Sequence, residues 1–306
     1  MTISKDVKPK ISIIIPTIGR VFELKRCLGA ITSGRGFDVD NVEVIVIDDA
    51  NCLDIKEICI KDKFRYIGHL SPTGQSVSKN EGVQYANGEY VAFIDDDCVP
   101  EPNWLSGLVK IIKKEKNMAV VGGKINNLGK IGLYNPAKII FYPWFKKEFS
   151  KTGNIYLFGL TSTNFDSDIS QQVSWVSAGN MMVRKDVFLS VGGFSTKLIG
   201  HMKFEESVFC SKVTRKGFKV FYCSEAVCNH LRSNSGRKIK AIVNFSGRYN
   251  EVIMQKDYLK SIKDVYYRLL LILLFYIYHI LDSSFRIFTL DFPGLLGKIS
   301  ALSISH

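Results

Sequence analysis

The chain has 306 residues, 46% hydrophobic and 23% charged, which excludes a disordered polypeptide and leaves enough apolar mass to fold without disulfide staples. Lys plus Arg number 41 and Asp plus Glu 29, a net charge of +12 that points to an anionic partner such as nucleic acid, anionic lipid or a phosphorylated substrate. Seven scattered cysteines, odd in number, suit a reducing compartment. The first apolar run, Ile11 to Ile15, is too short for a signal-peptide core.

Ile11-Ser-Ile-Ile-Ile15 is β-branched, stops at Pro16 and reads as a buried strand. Val21, Leu24, Leu28 and Ile31 recur at helical spacing over 21–33. Residues 42–47 form a second strand, stopped by Asp48-Asp49. A helix over 53–61 and a short strand over 64–67 follow. Residues 75–86 read as a helix with Asn87-Gly88 as its C-terminal cap. Tyr90 to Ile94 is a strand stopped by Asp95-Asp96-Asp97, and Pro102 opens a helix running to about Lys116. Strands alternating with helices predict a parallel sheet covered on both faces. Residues 126–173 lack periodicity and read as loops and short strands. Regularity returns at 174–183, in helices from Arg184 and over 205–216, and in a strand over 218–223.

The C-terminal part differs in kind. From Arg232 to Arg268 there are nine basic and three acidic residues. Leu269 to Leu281 follows, thirteen residues that are apolar or aromatic except for His279. At 1.5 Å per residue this run is roughly 20 Å long, short of the roughly 30 Å hydrocarbon core of a bilayer. It fits an interfacial anchor, a helix packed on the core, or a dimer interface. Charge beside an apolar helix favours an anionic membrane surface over nucleic acid.

Acidic clusters at the carboxyl ends of parallel strands mark where ligands bind in open α/β sheets. Three adjacent carboxylates at 95–97 call for a positive partner, and a divalent cation shared with diphosphate oxygens is a natural one. A solvated acidic turn is the bland alternative. The run Thr73 to Gly82 opens a helix with a glycine and small residues, a place for an anion, with Lys79 in reach of a phosphate. Trp175, Gly179 and Asn180 form a strand and turn that could line a pocket. Glu205-Glu206 opens a helix, where carboxylates either favour the dipole or take a proton from a hydroxyl. Cys223, Cys228 and His230 have no second metal-binding cluster beside them, so His230 fits a catalytic cation better than structural zinc.

In order and spacing these segments resemble the family-2 glycosyltransferases, inverting enzymes of the GT-A fold. The resemblance rests on Ile13-Ile14-Ile15-Pro16-Thr17 with Arg20, Val46-Ile47-Asp48-Asp49, Gly74 to Gly82, Phe93 to Pro100, Gly179 with Arg184 to Phe194, and Glu205-Glu206. It covers about 11–230. It implies a Rossmann-like, mostly parallel sheet flanked by helices, with a helical apolar C-terminal extension. It implies a nucleotide-diphosphate sugar held by Pro16, Thr17, Arg20, Asp48, Asp49, Lys79, Asp95 and Asp96. Trp175, Gly179 and Asn180 would lie on the acceptor side. Asp97, with His230, would bind Mn2+ or Mg2+, and Glu206, with Glu205 beside it, would be the catalytic base.

The expected organisation is a catalytic domain over 1–231 and a basic, then apolar, helical region over 232–306. The expected activity is transfer of a sugar to an acceptor hydroxyl in polysaccharide, glycolipid or lipid-linked glycan synthesis. The expected location is cytoplasmic, at the inner face of the plasma membrane. A non-catalytic nucleotide-sugar or carbohydrate-binding module on the same fold is the alternative. The sequence is silent on oligomeric state.

Overall fold

The computed structural model describes residues 10–35, 38, 41–126, 151–156, 160–198, 204–231, 240–288 and 291–303. A mixed sheet organises the first three quarters of the chain. Its strands are β1 (Ile11–Thr17), β2 (Val42–Asp48), β3 (Arg65–Gly68), β4 (Tyr90–Ile94), β5 (Cys98–Pro100) and β6 (Met118–Asn126), with β9 (Gln171–Gln172), β10 (Asn180–Arg184) and β11 (Lys219–His230). A separate two-stranded ribbon pairs β7 (Ile155–Tyr156) with β8 (Leu160–Thr161). The helices are α1 (Val21–Thr32), α2 (Leu53–Lys61), α3 (Gln75–Tyr85), α4 (Trp104–Ile112), α5 (Lys185–Ser190), α6 (Glu205–Arg215), α7 (Lys240–Lys260), α8 (Val265–Phe288) and α9 (Phe292–Leu302).

The strand order is β3-β2-β1-β4-β10-β6-β11-β5, with β9 on β11. Strands β1 to β4 pair in parallel, as expected. The sheet is mixed: β10 runs antiparallel to β4 and β6, and β5 runs antiparallel to β11. Periodicity reports strand identity but not direction, so this inversion was invisible in the sequence.

The sheet is buried on both faces, which is why β1 reads as one continuous apolar run. Ile11, Ile13 and Ile15 face a core shared with Leu24 and Leu28 of α1, Ile55 of α2 and Trp104 and Leu108 of α4. Ile14 faces the opposite core, with Val83 of α3, Phe188 of α5 and Phe209 of α6.

Three local expectations are corrected. Asn87-Gly88 does not cap α3, which ends at Ala86 in an extended conformation. Gly88 instead lies against β1, where a Cβ would come 2.6 Å from the Ser12 amide nitrogen. Pro102 precedes α4, which starts at Trp104 behind a turn in which the Trp104 N–H bonds Glu101 O at 2.9 Å, and ends at Ile112. The aperiodic stretch begins only after Asn126, because β6 continues to that residue, and 127–150 and 157–159 lie outside the described residues.

Helices α7, α8 and α9 pack together around a third core that includes Val252, Leu259, Leu271, Phe275, Tyr278 and Ala301. Arg232, Arg237 and Lys238 of the basic segment lie outside the described residues.

Candidate active site

Parallel strands β2, β1 and β4 end side by side, and register alone brings their last residues together: Thr17 is the partner of Asp48. The chain then turns, and each turn delivers polar side chains to the same edge. Arg20 is the residue before α1. Its Nε donates to Asp96 Oδ2 at 3.0 Å and its Nη1 to Asp97 Oδ2 at 2.8 Å, while Nη2 pairs with Asp96 Oδ1. Thr17 adds a hydroxyl to Asp96 Oδ2 at 2.6 Å. Asp96 is therefore fully buried yet fully satisfied, and Arg20 is the positive partner that the acidic run required.

Asp95 points the other way. Gln75 Nε2 donates to its Oδ1 at 2.8 Å and Lys79 Nζ lies 3.4 Å from the same oxygen. Gly179 closes on it, since a Cβ there would sit 2.9 Å from Asp95 Oδ2. Lys79, expected near the nucleotide, is completely buried. Burial opposes its charge, but Asp95 first, then Glu206 and Glu205, outweigh this and raise its proton affinity.

The two glutamates open α6 behind Phe204, which adopts the left-handed conformation at φ 82°. Glu206 is half-buried, and its Oε1 accepts the Ala178 N–H at 3.2 Å, which fixes the turn into β10. Glu205 is buried, and its Oε2 has no hydrogen-bond partner. Burial raises both carboxyls above the ordinary 4.5, and Lys79 pulls both back. Of the two, Glu206 is the less buried residue.

His230 ends β11 opposite Cys98 of β5, and its Nε2 lies 3.6 Å from Asp97 Oδ1. Asp97, Cys98 and His230 present ligand atoms within 4.8 Å of one another. A carboxylate and an imidazole suit Mn2+ or Mg2+. The Cys98 thiol does not: it is buried in the apolar core, and its hydrogen bond to Cys228 and its burial hold it well above its ordinary range. Cys223 and Cys228 turn inward, with sulfurs 3.9 Å from Gly107 O and Gly179 O respectively.

Asp48 and Asp49 are spent largely inside the protein. Asp48 accepts from the Ala50 and Cys52 amides at 3.0 and 2.6 Å and from Tyr66 at 3.2 Å, which shapes the turn after β2. Asp49 accepts from His69 at 2.5 Å, Gly74 N–H at 2.7 Å, Thr73 Oγ1 at 2.9 Å and Ser78 Oγ at 3.2 Å. Burial would raise Asp49, but the bonds from His69, Gly74 and Thr73 win and hold its carboxyl below 3.8. His69 also meets Glu81 at 2.5 Å, and the two carboxylates raise its proton affinity against the cost of burial. Gly74, at φ 93°, makes the turn that aims its amide at Asp49.

Asn180, expected on the acceptor side, lies inside the protein. It is fully buried, accepting from Trp104 Nε1 at 2.6 Å and donating to Lys124 O at 3.0 Å and Ala226 O at 2.9 Å. Trp175 is mostly buried, edge-on to Phe165 with ring centroids 4.9 Å apart. Pro16 is buried within β1. Gln75 and His69 were missed as site residues. Gln75 stands inside the glycine-opened segment and could have been named from it, whereas an isolated His69 carried no pattern.

Residues 12–188 match the family described as Glycosyl transferase family 2. The chain is 29% identical over 162 residues to a glucosyl-dolichyl phosphate glucuronosyltransferase of Haloferax volcanii, covering 51% of this chain and 47% of that one. It thus spans about half the length of that relative. It is 25% identical over 267 residues to a dolichyl N-acetyl-alpha-D-glucosaminyl phosphate 3-beta-D-2,3-diacetamido-2,3-dideoxy-beta-D-glucuronosyltransferase of Methanococcus voltae, covering 81% and 75%. Among solved structures, a mannosyltransferase of Pyrobaculum calidifontis in complex with GDP-Man and Mn2+ superposes with a TM-score of 0.60 at 16% identity, over 97% of this chain and 74% of that one. At that identity the likeness establishes the fold, which is GT-A. With more than half of the chain inside the family match, and with Arg20, the Asp95–Asp97 run and Glu206 gathered at one sheet edge, the chain belongs to glycosyl transferase family 2.

Proposed function

We propose that this glycosyltransferase is an inverting enzyme that moves a sugar from a nucleotide diphosphate to an acceptor hydroxyl, in the assembly of a lipid-linked glycan. The observation that carries the reading is the two-sided carboxylate site. Asp97 faces His230 at 3.6 Å, while Lys79 pairs with Asp95 at 3.4 Å and its charge acts on Glu205 and Glu206. The acceptor class is supported by the dolichyl-phosphate chemistry in the names of the two archaeal relatives.

Glu206 takes the proton of the acceptor hydroxyl. Its elevated proton affinity brings it nearer neutral pH, where a general base is most effective. The acceptor oxygen forms a bond to the anomeric carbon as the bond from that carbon to the diphosphate oxygen breaks, and the diphosphate leaves with the electron pair. Asp97 and His230 are the residues that fit a divalent cation, which when bound supplies positive charge where the diphosphate develops negative charge. Arg20 holds Asp96 and Asp97 in place. Thr17 and Asp96 underlie the donor, and Asp95, backed by Gln75 and Lys79, faces the sugar side next to Gly179.

In this reading residues 1–231 form the catalytic domain and 232–306 a C-terminal helical region. The cytoplasmic face of the plasma membrane is the proposed location, in keeping with seven free cysteines.

The test is a donor screen across nucleotide sugars with Mn2+ or Mg2+, with and without chelator. Glu206→Gln should keep donor binding and lose roughly 10²–10⁴ in kcat, and Glu205→Gln should lose much less. Asp97→Asn should lose metal-dependent donor binding. Chelator-resistant, unchanged turnover in Asp97→Asn would sink the metal assignment, and no nucleotide binding to any donor would sink the function.

A further inference from the structure

Val265–Ser284, within α8, is long and apolar enough to cross a membrane by length and composition. Its packing argues for a different disposition. Tyr266, Leu269, Leu270, Leu273, Tyr276, Ile277 and Ile280 recur at spacings of three, one, three, three, one and three, so they share one helix face, and all are exposed, Leu273 by 57% and Ile280 by 64%. The opposite face is buried and polar where it meets α7 and α9. Tyr278 donates to Glu251 Oε1 at 3.2 Å and His279 meets Gln255 Oε1 at 2.8 Å. Asp282, fully buried, binds Arg286 Nε at 2.8 Å and pairs with Lys298 of α9.

A spanning α8 would have to take these partners with it, because leaving Asp282 or Arg286 unpaired in hydrocarbon is costly. They cannot follow. α7 carries Arg248, Asn250, Glu251, Gln255, Lys256 and Asp257 along its length. α9 has 11 residues, roughly 16 Å at 1.5 Å per residue, against a roughly 30 Å core. α9 is also locked to α7: a Cβ on Gly297 would meet Phe245 O at 2.2 Å. It adds its own exposed apolar residues, Phe292, Leu296 and Ile299.

The charge around this face is one-sided. From Tyr258 to Ser303 the acids are Asp264, Asp282 and Asp291. Asp282 is buried, Asp291 pairs with Arg286 and caps α9, and Asp264 caps α8 by accepting the Tyr267 N–H at 2.6 Å. Lys260, Lys263 and Arg268 cluster where α8 begins.

We propose that α8 and α9 seat the protein in a single leaflet of an anionic membrane, with α8 lying in the membrane plane and its buried ionic cluster preventing it from spanning. Basic residues at the start of a large exposed apolar face supply the two signals that stable peripheral anchoring needs. The inference does not depend on the transfer chemistry.

The test uses the full chain and vesicles of phosphatidylcholine, alone or mixed with phosphatidylglycerol. Flotation should occur with the mixed vesicles and weaken about tenfold or more with neutral ones or in high salt. Leu273→Glu with Ile277→Glu should cut binding about a hundredfold or more. Ile60→Glu, on the equally exposed surface of α2, should leave it unchanged. Lys263→Cys and Ser303→Cys, each read above the parent protein's background, should both react with a membrane-impermeant maleimide added outside the vesicles. Protection of either position would mean that α8 spans, and would overturn the proposal. Failure of the parent chain to float, with an unchanged melting temperature, would overturn it too. So would a dimer that the Leu273→Glu, Ile277→Glu variant turns into a monomer without any loss of vesicle binding.

Discussion

Lys79→Met leaves the shape of α3 nearly intact and removes a buried cation that pairs with Asp95 and feels the charge of Glu205 and Glu206. At 3.4 Å and an effective dielectric of about 20, the Lys79–Asp95 attraction is about 5 kcal/mol before dehydration. Breaking a buried pair costs about 3–5 kcal/mol, because the remaining charge is stranded. The Asp95 side chain is 25% exposed, so water relieves part of this and about 2–3 kcal/mol is expected. For a domain of this size that lowers the melting temperature by roughly 5–10 °C. Lys79 has its proton affinity raised in the fold, so its contribution is complete below the ordinary lysine value of 10.5 and the loss should be equal across neutral pH. Asp95→Asn added to Lys79→Met should restore part of the loss, with a coupling of about 2 kcal/mol in the double-mutant cycle. A kinetic signature accompanies it. Lys79 pulls the Glu206 carboxyl down, so without Lys79 the acidic limb of the kcat/KM profile should move to higher pH. Melting within about a degree of the parent, with an unmoved acidic limb, would refute the assignment of Lys79 as the charge that acts on both Asp95 and Glu206.

Gly179→Ala puts a Cβ 2.9 Å from Asp95 Oδ2 and pushes the carboxylate off Gln75 and Lys79. kcat/KM should fall by about tenfold or more, and the melting temperature should fall by no more than in Lys79→Met; an unchanged kcat/KM would make Gly179 a merely structural residue. His69 is clipped between Asp49 and Glu81 and its proton affinity is raised, so this stabilisation is full below its ordinary value of 6.5 and is lost as pH rises through its value in the fold. Asp49 is held below 3.8, so its share is full above that value and is lost as pH falls through its value in the fold. Denaturant unfolding as a function of pH should therefore show stability declining on the alkaline side by about 1–2 kcal/mol, and His69→Gln should flatten that decline. A slope unchanged by His69→Gln would place the titration elsewhere.

Local chemistry settled much of this protein in advance. β1, β2 and β4 were legible because strands buried on both faces must be apolar throughout. The acidic turns were legible because carboxylates cannot continue such a strand without a partner. Glu205-Glu206 and the glycine before α3 stood out for similarly local reasons. What depended on tertiary packing was direction, depth and pairing. No periodicity states that β10 runs antiparallel beside β4, yet that reversal brings Gly179 against Asp95 and Ala178 against Glu206. The residue type of Lys79 fits a surface phosphate contact as well as a buried ion pair, and only the packing of α3 on the sheet turned it inward. Asn180 looked like a pocket residue and became a buried knot because Trp104, Lys124 and Ala226 converge on it from distant segments. The apolar run of α8 was plain in the sequence. Which of its faces meets water and which meets Glu251, Gln255 and Lys298 was decided by contacts between residues far apart in the chain, and hydropathy along a single helix does not encode those.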